Sequence, residues 1–523
     1  MKKASPRTGR SAVLVAAGIL VSRLTGLVRA RAFAYYFGLS DEGDAFAAGF
    51  RIPNFLQNLF GEGALSASFI PVYASLLARA DRREADRVAG AVASILALLV
   101  SALVLLGVLA TPLLIDAIAP GFAGVKRELT IQIVRILFPG AGLLVLSAWC
   151  LGVLNSHHRF FLSYAAAVMW NAAMIVTLIV YGGATLPQLA ITLAWGSVAG
   201  SALQFTVQLP VVLRIAPDLK FAFDTGSDHV KTVVRNFVPV FVSRGVVQVS
   251  AYIDSLIASL LPTGAVVGLT NAQLLYTLPV SLFGISVSAA ELPAMAGALG
   301  ADPAGSSTVR QRLNAGLRQI AFFVIPSAMA FIALGDVVAA ALLQTGRFSH
   351  SDALYVWGIL AGSGVGLLAS TLGRLYSSAY YALRDTRTPL RYALVRVGLT
   401  TVLGYLFAVP LPRALGIPVV WGAAGLTASA GIAGWVEMLL LRRTLNSRIG
   451  HTGLAPDYII KLWSAATAGA IIAWLVKLTL PSLHPAVAAV LILGPYGFIF
   501  LGATFLMRIP EASAAVARIR RRS

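Results

Sequence analysis

The chain has 523 residues, of which 58% are hydrophobic and only 12% are charged, whereas a soluble domain of this size carries roughly 25% charged residues. Its formal net charge of +20 would suit a nucleic-acid-binding protein, but the basic residues are concentrated between long apolar runs, as in a membrane protein whose charges set its topology. The single cysteine, Cys150, excludes a disulfide framework and a thiolate metal site.

The apolar runs predict an all-α integral membrane protein with about fourteen transmembrane helices. Each run is long enough to cross roughly 30 Å of hydrocarbon as a helix. The short alternating segments of a membrane β-barrel are not found in the sequence. In chain order, the predicted spans are residues 11–37, 43–77, 88–111, 128–155, 161–181, 187–213, 229–261, 265–298, 315–343, 352–381, 389–409, 417–441, 457–479 and 485–508.

Lys and Arg accumulate in alternate loops, which indicates the orientation of the chain. The pairs Lys2–Lys3, Arg82–Arg83 and Arg442–Arg443 and the tail Arg520–Arg522 fall on one predicted side. Because cytoplasmic loops carry an excess of basic residues, both termini are expected in the cytoplasm. The N-terminal run has the charged start of a signal peptide, but arginines interrupt it, so we expect a retained first helix.

Similar motifs recur in the two halves of the chain at a nearly constant offset. They predict parallel repeats of six spans each, a transporter layout that places the substrate between two lobes. The predicted lobes are residues 1–215 and 216–445, followed by a C-terminal helix pair at 446–523. The matching motifs are Ser22-Arg23 with Ser243-Arg244, Phe60-Gly61 with Phe283-Gly284, and Pro71 with Pro293.

Arginines within the predicted spans are the clearest functional signal. An arginine at the bilayer centre costs roughly 2.5–3.5 kcal/mol, so it is seldom retained without a use. Arg23, Gly26 and Arg29 follow one arc of the first helix, with the glycine leaving a gap between two guanidinium groups. Arg244 occupies the position equivalent to Arg23 in the seventh span. Because guanidinium groups bind phosphate oxygens in a bidentate fork, these residues predict a cationic cavity for a pyrophosphate.

Other ionisable residues in the spans have two interpretations each. Asp44, Arg51 and Glu62 lie in the second span and Asp254 in the seventh. Arg51 serves either in the cavity or as a side chain that extends to the membrane interface. Asp44 is either functional or the buried counter-ion of a nearby arginine. The sequence contains neither a phosphate-binding loop nor histidines at zinc-ligand spacing, so we expect no cofactor, no metal and no enzymatic activity.

Several motifs together resemble one family. They are S-R-x-x-G-x-x-R at Ser22–Arg29, D-A-F at Asp44–Phe46, P-N-F-L at Pro53–Leu56, G-E-G-A at Gly61–Ala64, F-I-P-V at Phe69–Val72 and D-T-R-T-P at Asp385–Pro389. This pattern resembles the MurJ/MviN flippases of the multidrug/oligosaccharidyl-lipid/polysaccharide exporter superfamily. The resemblance implies two six-helix lobes, a C-terminal helix pair that forms a lipid-tail groove, and lipid II as the substrate.

The resemblance also implies residue roles. Arg23 and Arg29 would bind the pyrophosphate, and Asp44 and Glu62 would act in the cavity or its gate. Leu274 stands where the family often has an arginine in the eighth span, so we expect Arg244 to take over that role. Thr400 and Gly404 replace expected sodium ligands, which leaves Asp254 as an incomplete sodium site. The family's usual Asp after the second arginine is Ala30 here.

These features predict an alternating-access lipid II flippase of the bacterial inner membrane. The membrane potential, worth about 2.3 kcal/mol per charge per 100 mV, would drive the anionic headgroup outward. Expected partners are lipid II, membrane lipids and cell-wall synthesis enzymes, and no nucleic acid. Three alternatives stay open at this point: an exporter of drugs or of other polyprenyl-linked saccharides, a polytopic enzyme acting on polyprenyl phosphates, and a scaffold that transports nothing.

Overall fold

The computed structural model describes residues 6–60, 62–222, 226–301, 305–481 and 483–513, and these ranges are helical nearly throughout, without a β-strand. A π-helical turn, Val280–Ile285, joins α10 to α11, and a 3-10 turn, Val419–Trp421, precedes α16. The helices are α1 (Pro6–Phe37), α2 (Asp41–Phe60), α3 (Glu62–Ala78), α4 (Arg82–Ile118), α5 (Gly124–Ser156), α6 (Phe160–Ala165), α7 (Ala167–Tyr181), α8 (Leu186–Ile215), α9 (Asp228–Ser259), α10 (Ala265–Pro279), α11 (Ser286–Ala301), α12 (Gly305–Leu343), α13 (His350–Ala382), α14 (Arg387–Ala408), α15 (Pro410–Ala414), α16 (Gly422–Ile449), α17 (Pro456–Thr479) and α18 (Pro485–Leu506).

Every predicted span overlaps one helix or two consecutive helices. Among the described residues, ten helical segments are long and apolar enough to cross a membrane, which confirms the all-helical membrane fold. Two predicted spans are interrupted: the fifth is divided between α6 and α7, and the eighth contains the π-helical turn. The second span covers α2 and α3, which lie on either side of residue 61, and that residue is outside the described ranges. The number of fourteen crossings stays a prediction.

The chain divides into two compact units, Met1–Val266 and Val267–Ser523. In the first unit, α5 is central and packs against α2, α3, α4 and α8, while α1 packs against α6 and α7. Helix α9, predicted from the repeat to begin the second lobe, packs here against α2, α3 and α4. The predicted lobe boundaries at residues 215 and 445 were derived from the sequence repeat and not from packing, and they stay predictions.

In the second unit, α13 is central and packs against α12 and α16. Helices α13 and α16 approach closely at Gly366 and Gly431, where a Cβ added to Gly366 would lie 2.2 Å from the Cα of Gly431. Small residues permit such close contact, and in a bilayer this packing replaces the hydrophobic driving force between helices. A capping box at Ser349 and Asp352 begins α13 and satisfies its first backbone N–H groups.

The C-terminal pair α17–α18 is attached along α12 by polar contacts. Lys477 of α17 forms an ion pair with the buried Asp336 of α12. The Tyr496 hydroxyl of α18 donates to the Pro326 carbonyl at 2.6 Å. The indole of Trp474 donates to the carbonyl of Ala333 at 3.2 Å, next to a break in α12 at Leu334. That break leaves carbonyls without helical partners, and side chains of the neighbouring helices supply the missing donors.

Candidate functional site

Arg29 is held against the aromatic face of α7. Its guanidinium carbon lies 4.5 Å from the ring centroid of Trp170 and 6.0 Å from that of Phe50, and its Nη1 donates to the Met174 sulfur at 3.6 Å. Such cation–π contacts stabilise a cation without neutralising it. None of the carboxylates in the described ranges forms an ion pair with Arg29. The remaining N–H donors of this arginine are therefore available to an anionic ligand.

Arg23 and Gly26 precede Arg29 on the same helix. Arg23 is exposed, and the six-residue separation from Arg29 corresponds to about 9 Å along a helix axis. A Cβ added to Gly26 would meet no atom within 4 Å, so open space surrounds this position. Arg29 is half-buried against α7, whereas Arg23 is on the surface of the unit, so the predicted convergence of the two guanidinium groups stays a prediction.

Asn171 adds a polar group beside Arg29 that the sequence analysis missed. Its Nδ2 donates to the Thr25 hydroxyl at 3.4 Å and to the Ala167 carbonyl at 3.2 Å. Its Oδ1 is buried and accepts no hydrogen bond from the described part of the chain. Since buried polar atoms nearly always have partners, this oxygen is a ready acceptor for a ligand donor. A single amide in an otherwise apolar span was the available signal in the sequence.

A row of aromatic rings links α1, α2 and α7 next to Arg29. Ring centroids are 5.5 Å apart for Phe33 and Phe46, 6.0 Å for Phe46 and Phe50, and 5.6 Å for Phe50 and Trp170. Aromatic pairs at these separations contribute beyond the burial of their surface. The row therefore fixes the position of Trp170 and, through it, the orientation of the Arg29 guanidinium.

Asp44 is buried and is neutralised by a lysine. Its Oδ2 accepts from Lys126 Nζ at 2.8 Å and from the backbone N–H of Gly264 at 2.8 Å. Lys126 also contacts Asp41 at 2.9 Å, and Thr263 donates to Asp41 at 2.8 Å. These contacts anchor the start of α2 to α5 and to the segment after α9. The counter-ion of Asp44 is therefore Lys126, whereas the sequence predicted a nearby arginine as one alternative.

Arg51 and Asp254 join α2 to α9. The Tyr252 hydroxyl donates to the Arg51 carbonyl at 2.5 Å, and the Tyr252 ring packs edge-on against Phe55 with centroids 5.5 Å apart. Asp254 lies near enough to Arg51 for the two charges to attract each other. Both residues are half-buried. Asp254, the candidate sodium ligand, therefore has an arginine as its neighbour, which disfavours a cation at the same place.

Two predicted site residues have side chains outside the described residues. Glu62 begins α3 directly after residue 61, and Arg244 lies in the middle of α9, but the placement of their side chains is not described. Their predicted roles in gating and in substrate binding therefore stay predictions. Within the described ranges, no three His, Cys, Asp or Glu side chains come together as a metal site would require.

Comparisons with known proteins identify one family. The family model for the lipid II flippase MurJ matches residues 33–496. A probable lipid II flippase MurJ of Rhizobium tropici is 30% identical over 479 residues, covering 88% of this chain and 86% of the relative. The lipid II flippase MurJ of Burkholderia cenocepacia is 31% identical over 449 residues, covering 84% of each chain.

Solved structures show the same fold. A lipid II flippase MurJ in an inward closed conformation matches with a TM-score of 0.77 at 23% identity, covering 95% of this chain and 99% of that one. An inward-facing multidrug resistance transporter of the MATE family matches with a TM-score of 0.66 at 18% identity, covering 81% and 95%. At these sequence identities, the similarity shows the fold alone. The transported substrate has to be inferred from the residues of the site.

Proposed function

The chain belongs to the lipid II flippase MurJ family, and on that premise we propose that it moves lipid II across the bacterial cytoplasmic membrane by alternating access. The observation that carries the proposal is the Arg29 guanidinium, which Trp170 holds in place without a described carboxylate neutralising it. A retained positive charge inside a membrane protein is a binding site for an anion, and the pyrophosphate of lipid II is an anion.

Arg29 and Arg23 bind the pyrophosphate in this proposal. The Arg29 fork offers two parallel N–H donors to phosphate oxygens, a geometry that lysine does not provide. The open space at Gly26 admits the headgroup between the two guanidinium groups. The free Oδ1 of Asn171 accepts from a hydroxyl or amide of the sugar–peptide portion.

Asp44 and Arg51 position the second span. The ion pair of Asp44 with Lys126 anchors the start of α2, and the Tyr252–Arg51 hydrogen bond attaches its middle to α9. Arg51 adds positive charge to the substrate cavity, and the negative charge of the neighbouring Asp254 partly balances that of Arg51. Glu62 acts in gating, and Arg244 contributes a further arginine to the substrate cavity from α9. The role of Glu62 follows from its motif position in the family, and that of Arg244 follows from the sequence repeat.

The membrane potential drives transport in this proposal. An interior-negative potential pushes the anionic headgroup outward and contributes about 2.3 kcal/mol per charge per 100 mV. Thr400 and Gly404 supply no carboxylate for sodium, and Asp254 is already opposite Arg51. Dissipating the potential should therefore stop transport, whereas removing sodium should not. Transport that follows the sodium gradient at zero potential would contradict this part of the proposal.

A cation exporter is disfavoured by the same site. Such a protein shares the superfamily architecture but needs an acidic cavity for its cargo. Here Asp44 is neutralised by Lys126, and the half-buried Arg29 is the prominent charge. We further propose that both termini lie in the cytoplasm, that the chain catalyses no chemical reaction, and that cell-wall synthesis enzymes take up the flipped lipid.

The deciding experiment measures lipid II translocation in vesicles that contain the purified protein. Protection of added lipid II from an external modifying enzyme should increase with the wild-type protein and should be lost with Arg29→Ala. Arg135→Ala is the matched control, because Arg135 is an exposed arginine of α5 within another predicted span. Equal protection by the wild type and by Arg29→Ala, at equal protein content, would contradict the proposed substrate site.

A further inference from the structure

The first unit contains an apolar cavity that the transport mechanism does not use. Its volume is about 460 Å³, and it lies between α2, α4, α5 and α9. This size falls within the roughly 300–1,000 Å³ of ligand pockets in proteins. Its lining includes Ile52, Phe55, Leu56, Leu106, Ala110 and Tyr252.

The cavity offers a ligand almost no hydrogen bond. Among the described residues that line it, the only side-chain polar group is the Tyr252 hydroxyl, which already donates to the Arg51 carbonyl at 2.5 Å. A buried water needs two to four polar partners, so ordered water does not fill this space. Protein interiors are close-packed, and a void of this size does not stay empty when a hydrocarbon can reach it. The chemistry of the lining therefore selects an aliphatic chain.

The cavity is continuous with the surface of α4 that faces the bilayer. Leu106 lines the cavity and is also 60% exposed. On the same helix, Leu105, Leu109 and Leu113 are 60%, 68% and 73% exposed, as expected for side chains that contact lipid. Lipid chains therefore reach the mouth of the cavity directly from the membrane.

We propose that this cavity binds one acyl chain of a membrane phospholipid. The chain does not belong to a substrate held at Arg29, because the cavity lies on another face of α2. Phe50 points toward Arg29, whereas Ile52 and Leu56, which line the cavity, lie about 200° and 240° around the helix from Phe50. A phospholipid is the hydrocarbon source that is present at the mouth throughout the transport cycle.

The bound chain braces α2 and α9 against α4. Phe55 and Tyr252, which form an edge-on ring pair, line the cavity from α2 and α9, and Leu106 and Ala110 line it from α4. At Gly107, an added Cβ would lie 2.4 Å from the Phe138 ring, so the glycine lets that ring form the floor. An acyl chain in this cavity packs against the Tyr252 ring and so stabilises the position from which its hydroxyl donates to the Arg51 carbonyl.

The test uses the full chain in nanodiscs that contain a phospholipid with a diazirine at the end of one acyl chain. After irradiation, mass spectrometry should find crosslinks on the peptides that contain Phe55 and Ala110. Ala110→Phe fills the cavity and should lower this crosslinking several-fold. The matched control is Leu109→Phe, which adds an aromatic ring to the adjacent lipid-facing position and should leave the yield unchanged.

Two results would overturn the proposal. One is crosslinking spread evenly over the outer face of α4 with equal yields in both variants, which indicates ordinary annular lipid. The other is loss of crosslinking on addition of a polyprenyl phosphate but not of excess phospholipid, which indicates the substrate's chain. If Ala110→Phe does not fold, the same measurement is made with Leu106→Phe, which narrows the mouth of the cavity and should also lower the crosslinking. Lipid II translocation is measured separately, so failure here leaves the transport proposal intact.

Discussion

The guanidinium of Arg29 lies over the indole ring of Trp170, 4.5 Å from its centroid, and this contact joins α1 to α7. A cation–π contact contributes about 0.5–2 kcal/mol. The insertion of an arginine into a bilayer costs roughly 2.5–3.5 kcal/mol. Trp170 therefore offsets part of the cost of burying this charge, and no carboxylate among the described residues pairs with Arg29. Such a carboxylate would compete with an anionic substrate.

Replacing Trp170 with leucine should weaken substrate binding, because the guanidinium loses its aromatic support. The contact energy corresponds to a loss of about 2- to 30-fold in affinity for lipid II, measured with purified protein. Trp170→Phe retains an aromatic face and should recover part of the affinity. Trp195→Leu, at an exposed tryptophan of α8, is the control and should bind normally. Unchanged affinity in Trp170→Leu would show that Arg29 is positioned by other contacts.

Replacing Lys126 with methionine should destabilise the first unit, because the buried charge of Asp44 then loses its lysine counter-ion. Breaking a buried ion pair from one side costs about 3–5 kcal/mol. The double variant Lys126→Met with Asp44→Asn removes both charges and should recover much of that loss. Thermal unfolding in detergent measures both effects. If the single and double variants were equally unstable, the ion pair would not be what anchors α2.

Asp385 should stabilise the connection between α13 and α14 at every pH above about 4. The backbone and hydroxyl of Thr388 donate to its carboxylate, as does Arg448, and together they lower the pKa of Asp385 to about 2. An unfolded aspartate has a pKa of about 3.9, so the contribution is fully present above that value and is lost as pH falls toward 2.

The check compares the melting temperatures of the wild type and Asp385→Asn across this pH range. The difference between them should be constant from neutral pH to about pH 4, should decrease below it, and should vanish once the pH falls below about 2. A difference that disappears already between pH 6 and pH 5 would assign the effect to another group.

Arg244→Ala should reduce flipping as strongly as Arg23→Ala, because the sequence repeat places both at equivalent positions. Leu274→Arg, which restores the arginine usual in the family, should recover part of the activity of Arg244→Ala. Vesicle translocation assays at matched protein levels measure both. A purely structural role for Arg244 predicts low protein abundance and no rescue by Leu274→Arg.

The spans and the family motifs were predictable from local sequence. A run of about twenty apolar residues must form a helix in hydrocarbon, because every backbone polar group needs an internal partner there. That requirement is local, so the predicted spans coincide with helices. The interruptions within the fifth and eighth spans were not predicted, since hydropathy does not distinguish a continuous helix from a broken one.

The partners of the charged residues were decided only by tertiary structure. The sequence marked Asp44 and Arg29 as unusual because a charge in an apolar run is costly wherever it lies. It did not indicate Lys126 as the neighbour of Asp44, 82 residues away, nor Met174 beside Arg29, 145 residues away. Side chains on different helices meet according to how those helices pack, and that packing depends on the shapes of many residues at once.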